Sequence, residues 1–336
     1  MTIWFQNELK AVLAQKTQLA HALLVKGPRG IGKQAFGMAL AQGLLCETPA
    51  ADGIACGQCS ACNWFATGVH PDFRLLAPAT DADPEAESEE GGKKSKPSPW
   101  ISIEQVRELH DFIYVSSHRG GRKTILVCPA EALNVNAANA LLKSLEEPPP
   151  LTYFILISHR PHRLPRTIIS RCRQLSLREP ERATALAWLS GQGVANPEVA
   201  LAQFSGAPLL ALAASAGDEL AGRRDFLARI APPDFDPLGV AETFRDLPLE
   251  RFIGWLQKWT YDIAEQRMLG TIRYNPDLEG ELAAIANRVE PLAVLRLHRK
   301  LVREQRNIHH PLNGRLFIES VLLAYAAVVN PLRQAA

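Results

Sequence analysis

Four of the six cysteines are clustered as Cys46-x9-Cys56-x2-Cys59-x2-Cys62. Thiolates at this spacing suit a tetrahedral Zn²⁺ ion, and four sulfur ligands leave no position for a reacting water, which points to a structural metal. Gly57, Gln58 and Ser60 between them are residues of a polar loop, so four ordinary core cysteines fit the pattern less well. Upstream, Gly27-Pro28-Arg29-Gly30-Ile31-Gly32-Lys33 is most of a phosphate-binding loop. Gly27, Gly32 and Lys33 stand where backbone amides and an ammonium would cradle the phosphates of ATP at a helix N-terminus. Gln34 stands where a hydroxyl would touch magnesium. Hydrolysis also needs carboxylates at the end of a second buried strand, to hold the metal and orient water. Here the run Thr124–Val127 leads into Cys128 and Pro129. A thiol is a poor ligand for a hard cation, and proline carries no side-chain base. The hydrolytic groups are missing from an otherwise complete framework, and ATP binding by this chain is expected to be weak or absent.

These residues need a scaffold of buried strands and covering helices. Short apolar runs at 22–25, 73–76, 123–127 and 153–157 predict strands, and helical spacing predicts helices over 34–45, 104–115 and 137–145. Strands alternating with helices imply a parallel α/β sheet covered on both faces. The stretch 81–99 is acidic, then glycine-, lysine-, serine- and proline-rich, and reads as a flexible surface loop. Strand signals end near residue 179. Helical patterns at 181–189 and 197–214 predict a small helical module over 179–215, and apolar residues at helical spacing predict an all-α domain over 216–336. Length agrees, because 336 residues exceed one ordinary domain. An apolar content of 47% excludes global disorder, and a net charge of +2 does not by itself demand a nucleic-acid partner. The N-terminus lacks the basic and apolar regions of a signal peptide. The late run 317–329 contains Glu319 and is too short to span a bilayer. A cytoplasmic protein with no membrane partner is expected, in a compartment that keeps thiols reduced.

Ser170-Arg171-Cys172 follows the fourth strand run, and further cations recur at Arg119, Arg122, Lys123, Arg160 and Arg163. Most such charges solvate a face, while a minority would suit a DNA path. The glycine loop with His21-Ala22-Leu23-Leu24 before it, the four cysteines, His70-Pro71-Asp72, the run Asn136–Pro149 and Ser170-Arg171-Cys172 occur together in one family. The chain resembles the delta-prime clamp-loader subunits of bacterial DNA polymerase III, within the AAA+ superfamily. The resemblance is strong over about 20–175 and looser at Asn313–Leu323.

The resemblance implies an AAA+ (RecA-like) domain over 1–178 with the zinc module 46–62 inserted, a helical lid at 179–215 and an oligomerising collar at 216–336. It also implies a non-hydrolysing stator that joins delta and gamma/tau subunits and helps place the sliding clamp on primed DNA. Arg171 would then be an arginine finger acting in trans on the ATP of a neighbouring subunit. Leu209 stands where active relatives tend to carry a nucleotide-sensing arginine. Two rivals stay open. One is an active gamma/tau-type ATPase, which Cys128 and Pro129 argue against. The other is a zinc-stabilised nucleic-acid-binding module outside any loader, which the near-neutral charge does not favour.

Overall fold

The computed structural model describes residues 3–16, 18–79, 98–118, 121–306, 308 and 313–330. Its contacts divide the chain into two units, 1–180 and 181–336. The predicted loop at 81–99 lies outside the described residues except for Ser98 and Pro99, and Arg119 lies outside them altogether.

The first unit is built on five strands: β1 (Ala22–Lys26), β2 (Phe73–Leu76), β3 (Lys123–Val127), β4 (Thr152–Ser158) and β5 (Arg173–Ser176). They lie in the order β2-β3-β4-β1-β5, and every neighbouring pair is parallel. Register places Ile155 of β4 opposite both Leu23 of β1 and Leu126 of β3. The central strands are buried on both faces, which explains their unbroken Val/Ile/Leu runs. Strand β5 was not expected from the sequence. It forms an edge, exposes Arg173, Gln174 and Ser176, and carries no apolar run to detect.

Around the sheet are α1 (Gln6–Ala14), α2 (Lys33–Leu45), α3 (Ser60–Ala66), α4 (Ile103–Tyr114), α5 (Val135–Glu146) and α6 (Arg166–Ile169). Val106, Leu109 and Ile113 of α4 and Ala137, Leu141 and Leu145 of α5 pack in one cluster with Leu24, Ile125, Val127, Phe154 and Leu156. Each such fully buried aliphatic side chain contributes on the order of 1.5–3 kcal/mol. Helix α2 lies on residues of the opposite parity. It comes so close that a Cβ at Gly37 would lie 2.8 Å from Leu126 Cδ1 and 3.0 Å from Ile157 Cδ1. The start of α4 is fixed by a capping box, in which Gln105 N–H donates to Ser102 Oγ and Ser102 N–H donates to Gln105 Oε1.

The second unit is helical, beginning with α7 (Arg182–Gly191), α8 (Pro197–Gln203), α9 (Pro208–Ser215), α10 (Glu219–Ile230) and α11 (Pro237–Thr243). It continues with α12 (Leu249–Leu269), α13 (Glu279–Arg288), α14 (Pro291–Glu304) and α15 (Gly314–Val329). The single helix expected over 197–214 is two, α8 and α9. The chain turns through positive φ at Ser205 and Gly206, and Pro208 cannot continue a helix from behind. Among the described residues two apolar cores form here. Ala185, Leu189, Ala200, Leu201 and Ala211 make a small one, and a larger one surrounds Phe226, Phe252, Trp259 and Tyr325. Trp259 Nε1 donates to Tyr325 Oη at 2.8 Å, giving both buried polar groups a partner. Among the described residues no single helix is long and apolar enough to cross a membrane.

Between these cores runs a buried polar network. Gln203 Nε2 donates to Tyr274 O at 2.7 Å and to Asn275 Oδ1 at 2.9 Å. Arg223 Nη1 donates to Asn275 Oδ1 at 2.6 Å, and its Nη2 pairs with Asp277. The carboxylate of Asp262 accepts from the backbone N–H groups of Arg273, Tyr274 and Asn275 and from Asn275 Nδ2. Burial raises the Asp262 carboxyl, and those donors act against the rise. Removing one member strands the others without solvent. Arg223→Ala is therefore expected to destabilise the second unit by about 3–5 kcal/mol, read as a lower unfolding midpoint in denaturant. A change within experimental error would mean that the network is not a structural element.

Candidate functional site

The four cysteines converge as their spacing predicted. Their sulfur atoms all lie within 4.8 Å of one another. Cys46 Sγ is 3.6 Å from Cys56 Sγ and 3.9 Å from Cys59 Sγ, and Cys56 Sγ is 3.9 Å from Cys62 Sγ. Four Zn–S bonds of about 2.3 Å, set tetrahedrally, give sulfur–sulfur edges of about 3.8 Å. The donor set therefore fits a tetrahedral metal ion. The ligands lie within the short span 46–62, but not in the polar loop alone. Cys46 follows the last residue of α2, Cys59 caps α3, and Cys62 is buried in the first turn of α3. The module is thus anchored to the helix that covers the sheet.

Around the sulfurs are the N–H and O–H donors that such a site uses to orient and stabilise thiolates. Thr48 Oγ1 donates to Cys56 Sγ at 3.2 Å, Cys59 N donates to the same sulfur at 3.3 Å, and Cys56 N donates to Cys46 Sγ at 3.3 Å. Donation from Thr48, with help from the amides of Gln58 and Cys59, draws the Cys56 thiol down to about 6. Burial pushes Cys62 up to about 12. A bound divalent cation would reverse the second effect, because a coordinated thiol loses its proton.

The glycine loop joins the end of β1 to α2. Gly32 has φ 94 and caps α2, and Gly27 has no room for a side chain because a Cβ there would lie 2.2 Å from Leu177 O. Lys33 is only 2% exposed, and its ammonium donates to the Pro28 carbonyl of its own loop. Burial lowers it to about 8 against the opposing pull of Glu131. Gln34 is exposed, and Cys128 and Pro129 end β3 as the sequence predicted. With the lysine engaged by its own loop and no hydroxyl or carboxylate at the expected positions, these residues fit magnesium-nucleotide poorly.

One acidic residue near this loop escaped the sequence reading. Glu131 Oε1 accepts from the backbone N–H groups of His159 at 2.8 Å and Arg160 at 3.0 Å. The carboxylate is thereby fastened to the end of β4. No motif signals it, because it lies beyond the strand and its partners come from a distant segment. His159 is held neutral: burial lowers it to about 4, with Lys33, Arg29 and Arg160 adding to the effect and Glu131 opposing it.

Arg171 follows α6. Its Nη1 donates to Thr167 O at 2.8 Å, its Nη2 pairs with Glu146 at the end of α5, and a third of the side chain is exposed. Among the basic residues singled out, Lys123 is not a surface cation. It is buried, its ammonium donates to the carbonyls of Phe112 and Val115, and it lies over the Phe112 ring.

A parallel sheet with a glycine loop between β1 and a buried helix start defines a phosphate-loop α/β protein, here with Gln34 after the loop lysine and Cys128-Pro129 after β3. The sequence matches the family described as "DNA polymerase III, delta subunit" over residues 5–181. It is 35% identical to the DNA polymerase III subunit delta' of Pseudomonas aeruginosa, covering 97% of this chain and 98% of that one. It is 30% identical to the subunit delta' of Escherichia coli K12, covering 98% and 96%. The DNA polymerase III subunit tau of Bacillus subtilis matches at 31% identity, over 51% of this chain and 26% of its own length. The chain belongs to the delta-prime family of DNA polymerase III subunits.

Two measurements test these sites. Elemental analysis of protein purified without chelator should find about one tetrahedrally bound divalent metal per chain, and Cys59→Ser should lower that stoichiometry while the sheet stays folded. For His159, the unfolded imidazole titrates near 6.5 and the folded one near 4. Unfolding therefore takes up a proton in that window, and stability is lost as pH falls from about 6.5 to about 4. His159→Gln should flatten that part of the stability profile, whereas an unchanged slope would assign the acid sensitivity to other groups.

Proposed function

We propose that this chain is a stator subunit of the DNA polymerase III clamp loader, which hydrolyses no ATP itself and completes the ATP site of a neighbouring gamma/tau-type subunit through Arg171. The clamp-loader role rests on family membership across nearly the whole chain. The division of labour rests above all on one observation: β3 delivers Cys128 and Pro129 beside a lysine already engaged by its own loop. Magnesium has no carboxylate on that strand, and an attacking water has no base. Glu131 does not replace them in this reading, because it lies beyond the strand and two backbone amides hold its Oε1 against the end of β4, which leaves only Oε2 without a hydrogen bond.

Within the assembled loader the proposed partners are the delta and gamma/tau subunits, with the sliding clamp and primer-template DNA reached through the complex, in the cytoplasm. Residues 179–215 act as the lid and 216–336 as the collar of an AAA+ subunit. The separate small core around Ala185 and Leu189 and the large core around Trp259 support that division. Zinc is the metal proposed for the four cysteines, because a site of four sulfurs selects it over harder cations. An arginine finger stabilises charge on the transferring phosphoryl group and contributes on the order of 10³–10⁵ in rate.

The isolated chain is expected to show no magnesium-dependent ATP turnover. Steady turnover abolished by Lys33→Ala would instead favour an active gamma/tau-type ATPase. Arg171→Ala in the reconstituted loader should leave assembly intact and lower clamp- and DNA-stimulated hydrolysis at the site that this subunit completes. Arg171→Lys should rescue poorly, since an ammonium lacks the planar fork. Wild-type hydrolysis by both variants would remove the finger from the mechanism.

A further inference from the structure

Helix α5 ends in two acids, Glu146 and Glu147. This is an unfavourable place for negative charge, because the C-terminal end of a helix carries the negative pole of its dipole and exposes unpaired carbonyls. Glu146 is also half-exposed, so packing does not require it. What it touches is Arg171: one carboxylate oxygen meets Nη2, while Thr167 O accepts from Nη1 at 2.8 Å. The next residue, Cys172, is buried among the side chains that pack on the sheet. The backbone of Arg171 is thus pinned from below, and its guanidinium is held by three oxygens, from Glu146 at the end of α5, Thr167 of α6 and the neighbouring Ser170.

We propose that Glu146 is a positioning residue for Arg171, which fixes the guanidinium plane so that its free donors face outward for a phosphoryl group. This inference rests on the reading of Arg171 as a finger. The donor count allows it. A guanidinium has five N–H groups in a fixed fork, and Glu146, Thr167 and Ser170 engage three of them, leaving two. A flexible arginine would have to lose side-chain rotamer freedom on reaching a neighbouring nucleotide, a cost of roughly 1.5–2 kcal/mol for a side chain of this type. Holding it beforehand in the folded chain removes part of that cost from the reaction. The charge itself argues the same way. The carboxylate weakens the field of the arginine somewhat, so its presence at a helix end that disfavours it fits a role in which orientation matters more than raw charge.

The test uses the reconstituted loader, with Glu146→Ala, Glu146→Gln, Arg171→Ala and the double variant Glu146→Ala/Arg171→Ala. Each is measured for kcat and KM for ATP in the presence of clamp and primed DNA. Misplacing a reacting group by about an ångström costs on the order of 10²-fold, so Glu146→Ala is expected to lower kcat by about ten- to a hundredfold with little change in KM. Glu146→Gln keeps an oxygen acceptor on an isosteric side chain and should recover most of the loss. The double variant should be no slower than Arg171→Ala alone, because two residues acting through one guanidinium are not additive.

The inference is overturned if Glu146→Ala matches or exceeds wild-type kcat, the latter meaning that the carboxylate competes with the phosphate for the arginine. It is also overturned if Glu146→Ala slows the Arg171→Ala background further, or if glutamine restores nothing. If Arg171→Ala itself leaves hydrolysis unchanged, the finger reading fails and this inference falls with it. If Arg171→Ala slows hydrolysis and Glu146→Ala does not, only the positioning role fails. Circular dichroism and assembly by gel filtration establish that each variant is folded and incorporated before its kinetics are read.

Discussion

Five parallel strands impose a common direction on the first unit, and the rest of its anatomy follows from that constraint. Their C-terminal ends open along one edge of the sheet, where ligands bind in open α/β folds. Gly27 leaves β1 there, Cys128 leaves β3, His159 leaves β4 and Leu177 leaves β5. The edge is also stitched together. Gly27 N donates to Ser158 O at 3.3 Å, Leu177 N donates to Lys26 O at 2.9 Å, and Leu177 O occupies the space beside Gly27 that any side chain would need. A glycine is therefore demanded at position 27 by packing alone. The loop keeps the form of a phosphate cradle for reasons that need no phosphate, while Gln34, Cys128 and Pro129 stand where a hydroxyl and carboxylates would meet magnesium.

Much of this was legible in the residues. The central strands announced themselves as buried aliphatic runs, the cysteines as a cluster able to hold a metal ion, and Cys128-Pro129 as the residues that follow β3. The rest failed for identifiable reasons. Strand β5 reads Arg-Gln-Leu-Ser, an edge that satisfies only one neighbour and shows most of its surface to solvent. The α8–α9 boundary lies in an apolar run whose helical pattern continues across it, and only the backbone reversal at Ser205 and Gly206 separates the two. Helix α1 buries only Leu9 and Leu13, too few apolar positions to form a persuasive stripe. Glu131 was invisible for a different reason, and Glu146 was legible only as a member of the run Asn136–Pro149. Each is an ordinary acid in sequence, and its importance comes from a partner that the fold brings from elsewhere.

Charged groups serve opposite ends in the two units. In the second unit Arg223, Asp277, Asn275, Asp262 and Gln203 sit away from water between two apolar cores, and their hydrogen bonds specify one arrangement of the helices that carry them. Buried pairs of this kind add little net stability over an apolar replacement, but they penalise any misregistered packing heavily. In the first unit the pair between Arg171 and Glu146 stays partly in water, where its energy is small and its directionality is what matters. The cysteine module is a third solution. Its four sulfurs, from the end of α2, the following loop and the start of α3, lie within 4.8 Å of one another, so a metal ion held there would fix a polar segment that has little apolar surface of its own.

The residue at position 128 also bears on its surroundings. Cys128 is buried, and it and Glu131 both act electrostatically on the same lysine. An aspartate at 128 would bring a second carboxylate to this desolvated corner, where like charges oppose each other and a nearby cation relieves the conflict. Position 128 is coupled in this way to the acid that braces the end of β4, and a substitution at either place is felt at the other.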